Sequence, residues 1–158
     1  MKKYFKIIIL IISLIIFDQI SKVLITNYFE VGDSLSIINN FFRFLYIKNT
    51  GAAFGIFMNS KAMLIIVTLM LLVYLIIELK KYINNKVISI SLSLIISGAL
   101  GNLIDRIFRG YVVDFISFTI FDREMAIFNV ADTFITFGVV LLLIYLFKEG
   151  KHERSNNK

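Results

Sequence analysis

The stretch from Phe128 to Phe147, FNVADTFITFGVVLLLIYLF, decides the fold class of this sequence. It is long enough for a helix to cross the hydrocarbon core of a bilayer, which takes roughly 20 residues. Asn129 and Asp132 stand at its start, although an aspartate costs up to ~3 kcal/mol at the centre of an inserted helix. The stretch therefore predicts a membrane-spanning helix that begins with a carboxylate, which either caps the helix end or belongs to a functional site.

Three other segments, at approximately 7–28, 62–79 and 87–104, have the same length and apolar character. The chain of 158 residues is 58% hydrophobic, whereas a soluble domain is usually about half apolar. The first segment continues past Asp18 and offers no small-x-small cleavage site, so we expect a retained helix rather than a removable signal peptide. We predict a single integral membrane domain over 1–158, mainly α, built as a bundle of four transmembrane helices.

The basic residues predict how this bundle is oriented. The two long connections, about 29–61 and 105–127, hold few basic residues for their length. Three short segments on the other side, among them the tail 148–158, hold Lys2, Lys3, Lys6, Lys80, Lys81, Lys86, Lys148, Lys151, Arg154 and Lys158. Because basic segments stay in the cytoplasm, both termini are predicted to be cytoplasmic. The net charge of +6 accordingly favours anionic membrane lipids, rather than nucleic acid, as a partner.

The composition also excludes several kinds of site. The chain contains no cysteine, which rules out disulfides, thiolate nucleophiles and zinc–thiolate sites. Its single histidine, His152, lies in the polar tail, so neither a histidine metal centre nor a Ser-His-Asp triad is expected within the membrane. We expect a site that needs no metal and no other cofactor.

The two long connections carry strand-forming sequences. SIINNFFRFLYIKN in the first is rich in aromatic and β-branched residues and follows the turn residues Gly32 and Asp33. FRGYVVDFISFTIFDREMAIF in the second has the same character. Phe and Tyr are favourable near lipid headgroups. These connections therefore predict a small β-sheet or strand pair at the outer face of the membrane.

The third apolar segment carries a stripe of small and polar residues. Ser89, Ser93, Ser97, Gly101 and Asp105 recur at every fourth position. Such a stripe lets a neighbouring helix approach closely in lipid, so it favours a helix–helix interface. At its outer end the stripe becomes strongly polar, which packing alone explains less well.

Other polar residues at membrane depth allow two readings each. Asp18 and Lys22 stand one helical turn apart, which favours a structural ion pair over a catalytic role. Asn49 and Gly51, in NTGAAFG, form either an ordinary turn or a site where backbone amides approach a bound peptide. Arg106 either marks a helix end or binds an anion through its guanidinium fork.

Asp114 and Asp132 are more informative together than singly. They bracket a connection that starts and ends at the same membrane face, so their side chains can converge. Two carboxylates in a semi-apolar site cannot both ionise cheaply, and they share a proton. One of them can then activate water while the other protonates a carbonyl oxygen. The pair therefore favours acid–base hydrolysis of a peptide bond.

Two other classes of protein remain open at this point. A small proton-coupled transporter would use Asp18, Asp114 and Asp132 as a proton relay. The clustering of carboxylates toward one face, and the lack of a broken, inverted pair of helices, argue against it. A structural membrane subunit would use the small-residue stripe to dock a partner, but it leaves the polar outer cluster unexplained.

The chain resembles bacterial lipoprotein signal peptidase (signal peptidase II) from residue 17 to about 148, through five motifs in order: FDQISK, NTGAAFG, SGALGNLIDR, VVDF and FNVADT. The resemblance implies that Asp114 and Asp132 are the catalytic aspartates. It implies substrate-binding or site-lining roles for Asn49, Gly51, Gly98, Asn102, Arg106 and Asn129. Asp18 and Lys22 are implied as structural support.

The resemblance also implies a fold, a reaction and a location. The fold would be four transmembrane helices with a small extracytoplasmic β-cradle. The reaction would remove the signal peptide of a diacylglyceryl-modified prolipoprotein, immediately before the lipid-modified cysteine. We expect a monomer in the bacterial cytoplasmic membrane, with its site at the extracytoplasmic face and with prolipoprotein and membrane lipids as its partners.

Overall fold

The computed structural model describes residues 2–51 and 60–156. Within them lie four helices: α1 (Lys2–Tyr28), α2 (Lys61–Lys81), α3 (Lys86–Phe108) and α4 (Val130–Asn156). All four contain a stretch long and apolar enough to cross a membrane. The prediction of a four-helix membrane bundle is confirmed.

The helices extend beyond the apolar segments that predicted them. α3 continues to Phe108, so Asp105 and Arg106 lie in its last turns rather than in the outer connection, which was predicted to begin at residue 105. The helix ends where the backbone carbonyl of Asp105 accepts the N–H groups of Arg109 and Gly110. α4 likewise continues through most of the segment 148–158, which was treated as a tail. Backbone hydrogen bonding continues a helix past the membrane edge, whereas hydropathy reports only the apolar part.

α3 is the central helix of the bundle. Of the residues in its most apolar stretch 72% are buried, against 11% for α1, 17% for α2 and 11% for α4. All five members of its small-residue stripe are buried, which confirms the predicted helix–helix interface. A side chain at Gly98 would collide with the carbonyl oxygen of Ala131 in α4, and one at Gly138 would lie 2.7 Å from the carbonyl oxygen of Ser91. The small residues therefore let α3 and α4 pack closely.

The outer surfaces of the other three helices are apolar and exposed. This distribution is the reverse of that in a soluble bundle, and it is what a lipid environment requires. The exposed apolar side chains include Ile12, Ile16, Phe17, Ile66, Met70, Val73, Phe137, Leu143 and Leu146.

The described residues contain four strands at one end of the bundle, two between α1 and α2 and two between α3 and α4: β1 (Ser34–Ile38), β2 (Phe42–Asn49), β3 (Val112–Ile120) and β4 (Arg123–Glu124). They form one antiparallel sheet in the order β1-β2-β3-β4. Because β1 follows α1, β3 follows α3 and β4 precedes α4, the sheet lies where α1 and α3 end and α4 begins. The prediction that the two long connections form a small β-sheet is confirmed.

The alternation of side chains along β3 determines the direction in which Asp114 points. Val113 and Phe115 pack with Ile25 of α1 and Tyr46 of β2 in a core cluster. Because successive side chains of a strand point to opposite faces, Asp114 points away from this cluster. It points instead toward the ends of α3 and α4.

Candidate active site

A cavity of about 820 Å³ lies between the sheet and the ends of α3 and α4. Its volume is within the range of small-molecule and peptide pockets, roughly 300–1,000 Å³. Both Asp114 and Asp132 line it. The other lining residues are Ile47, Lys48, Asn49, Thr50, Gly51, Asn102, Arg106, Val112, Glu124, Met125, Ala126, Ile127, Phe128, Ile135 and Thr136.

Asp114 is almost fully buried, with 1% of its surface exposed. Its Oδ1 accepts a hydrogen bond of 2.7 Å from Nδ2 of Asn129, and its Oδ2 accepts one of 2.7 Å from Nδ2 of Asn49. Burial, and after it the negative charge of Asp132, raises the pKa of Asp114 to about 7, against the lowering effect of the two amide donors and of Lys22. A carboxyl group with this pKa holds its proton for about half of the time at neutral pH.

Asp132 lies in the first turn of α4 and takes part in the cap of that helix. Its backbone N–H donates to Oδ1 of Asn129 at 2.9 Å, and the backbone N–H of Asn129 donates to Oδ2 of Asp132 at 3.1 Å. This reciprocal pair is a capping box. Oδ1 of Asp132 accepts a further hydrogen bond of 2.8 Å from Nδ2 of Asn102. The carboxylate therefore both caps the helix and lines the cavity.

Asn129 links the two aspartates. Its Nδ2 group donates to Asp114 and also to Oδ1 of Asn102 at 3.0 Å, while its backbone N–H donates to Asp132. The side chain is fully buried. One residue thus fixes the positions of a carboxyl group on β3 and another on α4.

Lys22 lies beside this network, with its ammonium group fully buried. Its Nζ is 2.9 Å from Oδ2 of Asp18, 3.0 Å from Oδ2 of Asp105 and 3.0 Å from Oδ1 of Asn102. The predicted ion pair of Asp18 and Lys22 is present. Oδ1 of Asp18 accepts the backbone N–H of Ala131 at 2.9 Å, so the pair also connects α1 to the start of α4.

Asp105 and Gln19 are polar residues of this cluster that the sequence did not single out. Asp105 is fully buried and accepts from the backbone N–H of Val113 and from Arg109, both at 3.1 Å. Nε2 of Gln19 reaches Oδ2 of Asp18 at 3.1 Å and Oδ1 of Asp105 at 3.3 Å. The available signal was position: Asp105 ends the small-residue stripe, and Gln19 stands next to Asp18.

Arg106, Asn49 and Gly51 also line the cavity. Nη2 of Arg106 donates to the carbonyl oxygen of Gly51 at 3.2 Å, and among residues 2–51 and 60–150 no carboxylate forms a salt bridge with Arg106. The backbone N–H of Gly51 donates to Oδ1 of Asn49 at 2.9 Å, which shapes the turn after β2. The rest of the NTGAAFG motif lies outside the described residues.

The other candidate residues lie away from the cavity surface. Gly98 lies at the crossing of α3 with α4 and does not line the cavity. Asp18 and Lys22 lie behind Asn102 and do not line it either. The structure therefore brings Asn49, Gly51, Asn102, Arg106 and Asn129 together with the two aspartates and places the other three behind them.

Known proteins resemble this chain in sequence and in fold. A family model described as signal peptidase II matches residues 10–148. The lipoprotein signal peptidase of Clostridium tetani is 44% identical over 151 residues, covering 92% of this chain and 95% of the relative. That of Staphylococcus aureus strain JH9 is 39% identical over 158 residues, covering 97% and 96%.

Two solved structures share the fold. Both are described as bacterial membrane enzymes determined by the in meso method, one at 2.3 Å and one at 1.9 Å resolution. The first has a TM-score of 0.84 and 35% identity, covering 93% of this chain and 90% of its own. The second has a TM-score of 0.78 and 35% identity, covering 90% and 93%. The chain belongs to the signal peptidase II family of aspartic-type peptidases.

Proposed function

We propose that this protein removes signal peptides from prolipoproteins by hydrolysis, with Asp114 and Asp132 as its catalytic residues. The observation that carries the proposal is the shared cavity: two carboxyl groups from β3 and α4 line it, and Asn129 hydrogen-bonds to both. This is the arrangement that acid–base hydrolysis without a covalent intermediate requires. Membership of the signal peptidase II family supports the reaction class.

The two carboxyl groups take different roles in the proposed mechanism. Asp114 is the more buried of the two and its pKa is raised to about 7, so it holds the shared proton near neutral pH. Asp132 acts as the base. It takes a proton from a water molecule as the water oxygen attacks the scissile carbonyl carbon, and Asp114 gives its proton to the carbonyl oxygen.

Collapse of the resulting tetrahedral intermediate completes the reaction. Asp114 regains a proton from one hydroxyl of the intermediate, and the leaving nitrogen takes the proton held by Asp132 as the C–N bond breaks. The pair returns to its starting state with one proton. Arg106 lies in the same cavity, where its positive charge favours the negative charge that develops on the carbonyl oxygen.

The surroundings of the cavity support a membrane-embedded substrate. Ile47, Ile127, Phe128 and Ile135 give it apolar walls, which suit the small apolar residues of a signal-peptide cleavage region. α1, α2 and α4 have exposed apolar faces. The acyl chains of a diacylglyceryl-modified substrate bound in the cavity therefore stay in contact with lipid. The charge asymmetry of the sequence supports an extracytoplasmic position for this end of the bundle.

A proton-coupled transporter fits this geometry less well. Asp18, which a relay would need, is fully buried against Lys22 and does not line the cavity. The catalytic pair lies at the end of the bundle where α3 ends and α4 begins. A relay would require carboxyl groups at successive depths.

Cleavage of a lipid-modified substrate by the purified protein tests the proposal. The protein in detergent is incubated with a diacylglyceryl-modified prolipoprotein and, separately, with the unmodified precursor. We expect cleavage of the modified substrate that is insensitive to chelators and is reduced roughly 10²- to 10⁴-fold or more in Asp114→Asn and in Asp132→Asn. Ser93→Ala is the matched control, because Ser93 does not line the cavity and its hydroxyl donates to the carbonyl oxygen of Ser89 within α3.

Two results would overturn the proposal in different ways. Cleavage that survives either Asn variant would remove the aspartate mechanism and keep the peptidase. A folded wild-type protein that cleaves neither substrate would remove the peptidase.

A further inference from the structure

We propose that Asp105 is a positioning residue for the aspartate pair: it neutralises the buried ammonium group of Lys22 and fixes the start of β3, and so controls the placement and protonation of Asp114. The inference rests on the proposed peptidase function, since it assigns a residue to the control of that site. Asp105 does not line the cavity.

Asp105 contacts the start of β3 through a hydrogen bond to the backbone. Oδ2 of Asp105 accepts the backbone N–H of Val113 at 3.1 Å. Val113 is fully buried and directly precedes Asp114. Because adjacent residues of a strand share one rigid peptide unit, this hydrogen bond fixes the backbone from which the Asp114 side chain points.

Asp105 also forms an ion pair with Lys22. The same Oδ2 atom lies 3.0 Å from Nζ of Lys22, and both side chains are fully buried. Nζ of Lys22 also donates to Oδ1 of Asn102, whose Nδ2 donates to Asp132. Asp105 is therefore linked to Asp114 through the backbone and to Asp132 through two side chains.

The charges of the cluster formed by Asp18, Lys22, Asp105 and Arg109 balance one another. Asp18 and Asp105 carry two negative charges, and Lys22 and Arg109 carry two positive charges. The three residues other than Arg109 are fully buried, whereas 24% of the Arg109 side chain is exposed. Buried charges are weakly screened, so removing one of them leaves a net charge that reaches its neighbours.

Among the described residues, charged and titratable groups face Asp105 and Asp114 from α1, β2, α4 and the C-terminal end of α3. Those facing Asp105 are Asp18, Lys22, Tyr46, Arg106 and Arg109. Those facing Asp114 are Lys22, Arg106 and Asp132. Lys22 and Arg106 belong to both sets, and of these two Lys22 is in ion-pair contact with Asp105.

Loss of the Asp105 charge therefore changes Asp114 in a definite direction. The positive charge of Lys22 already lowers the pKa of Asp114, against the larger effect of burial. In Asp105→Asn one of the two anions that balance Lys22 is gone, so the pKa of Asp114 falls further. The alkaline limb of the pH–rate profile, where Asp114 loses its proton, then moves to lower pH.

The test is a pH–rate profile of cleavage for four proteins: wild type, Asp105→Asn, Arg109→Gln and the double variant. We expect the alkaline limb of Asp105→Asn to move to lower pH by about half a pH unit or more. At a fixed alkaline pH this shift corresponds to a rate of cleavage about threefold lower than that of wild type. Arg109→Gln leaves a net negative charge and moves the limb up, by less because Arg109 is partly exposed. The double variant restores a neutral cluster and returns the limb toward its wild-type position.

The infrared absorption of the protonated carboxyl group gives a readout that does not depend on activity. The band of Asp114 is assigned as the one lost in Asp114→Asn, and its titration is followed in the same four proteins. If wild type cleaves no substrate, the proposed function fails, while the infrared titration still tests the effect of Asp105 on Asp114.

Glu78→Gln is the matched control, because it removes one negative charge from the partly exposed pair with Lys81 on α2. It is expected to leave both titrations unchanged. Unmoved titrations in folded Asp105→Asn, even with a lower rate, would overturn the inference and leave a packing role. If Asp105→Asn does not fold, Arg109→Gln still tests the inference. An alkaline limb that moves to lower pH in Arg109→Gln, or does not move, would overturn the inference.

Discussion

Nδ2 of Asn129 lies 2.7 Å from Oδ1 of Asp114, although the two residues belong to the start of a helix and the middle of a strand. Asn129 is also the cap of α4, where its Oδ1 accepts the backbone N–H of Asp132 at 2.9 Å. The cap and the site are therefore one structure. The first turn of α4 positions Asp132, and the amide of the capping residue positions Asp114.

Asn129→Ser separates these two contributions. Serine caps a helix about as well as asparagine does, but its hydroxyl cannot replace the amide group that donates to both Asp114 and Asn102. We expect stability to fall by about 1–3 kcal/mol, because a buried acceptor loses its donor, and the rate of cleavage to fall by roughly 10- to 100-fold, the effect of losing hydrogen bonds to a charged group. The measurements are thermal unfolding and kcat/KM in the same detergent.

Asn129→Ala is the companion variant, because it removes the cap as well as the amide. It should lose about 1 kcal/mol more stability than Asn129→Ser at a similar rate of cleavage. A serine variant with wild-type activity would show that the amide of Asn129 does not position the pair.

The raised pKa of Asp114 predicts how stability depends on pH. An aspartate in the unfolded chain titrates near ~3.9, whereas Asp114 in the folded protein titrates at about 7. The folded state therefore holds this proton more tightly, so the contribution of Asp114 to stability is fully present below the unfolded value and is lost as the pH rises to the folded value. Asp114→Asn does not titrate, and its free energy of unfolding should fall less between pH 4 and pH 7 than that of wild type.

Unfolding titrations with denaturant in detergent, at several pH values across this window, check the prediction. Glu124→Gln serves as the control, since Glu124 is an exposed carboxylate at the rim of the cavity. Equal pH slopes for wild type and Asp114→Asn would contradict a raised pKa at this residue.

The features that the sequence predicted correctly are those that depend on local pattern. Apolar segments long enough to cross a bilayer predict helices whatever their partners are. Alternating aromatic and β-branched residues predict strands in the same way. The pair of Asp18 with Lys22 is a contact between neighbouring helical turns, so its spacing alone indicates it.

The features that the sequence did not predict depend on contacts between distant segments. Asp105 looked ordinary because its partners Lys22 and Val113 lie on α1 and β3. The approximate boundary of α3 at residue 104 came from hydropathy, which does not report that the polar residues Asp105 and Arg106 continue the helix to Phe108. Gly98, which the resemblance puts among the site residues, lies where α3 packs against α4, one turn before Asn102.

Gly98→Ala is expected to destabilise the bundle. A Cβ atom at this position would lie 2.7 Å from Cγ1 of Ile135 and 3.2 Å from the backbone carbonyl carbon of Ala131. The two helices must then separate, at a cost of about 1–3 kcal/mol. Because Ala131 directly precedes Asp132, the rate of cleavage should fall as well.

Gly150→Ala on α4 is the control for Gly98→Ala. None of the described side chains lies within 4 Å of a Cβ at Gly150, and alanine is favoured over glycine in a helix by about 1 kcal/mol. This variant should be at least as stable as wild type. Thermal unfolding of both variants decides the matter, and a Gly98→Ala protein of undiminished stability would show that α3 and α4 do not need their close approach.

The burial of an ion pair should decide how much it contributes. Lys22→Met removes the cation between Asp18 and Asp105, which are fully buried, and leaving buried charges uncompensated costs about 3–5 kcal/mol. Arg43→Gln breaks the pair of Arg43 with Glu124, whose side chains are 32% and 65% exposed, and should cost no more than about 1 kcal/mol. The free energy of unfolding of each variant is measured in detergent at neutral pH. Losses of similar size in the two variants would mean that the ammonium group of Lys22 is not the charge that holds α1 against α3.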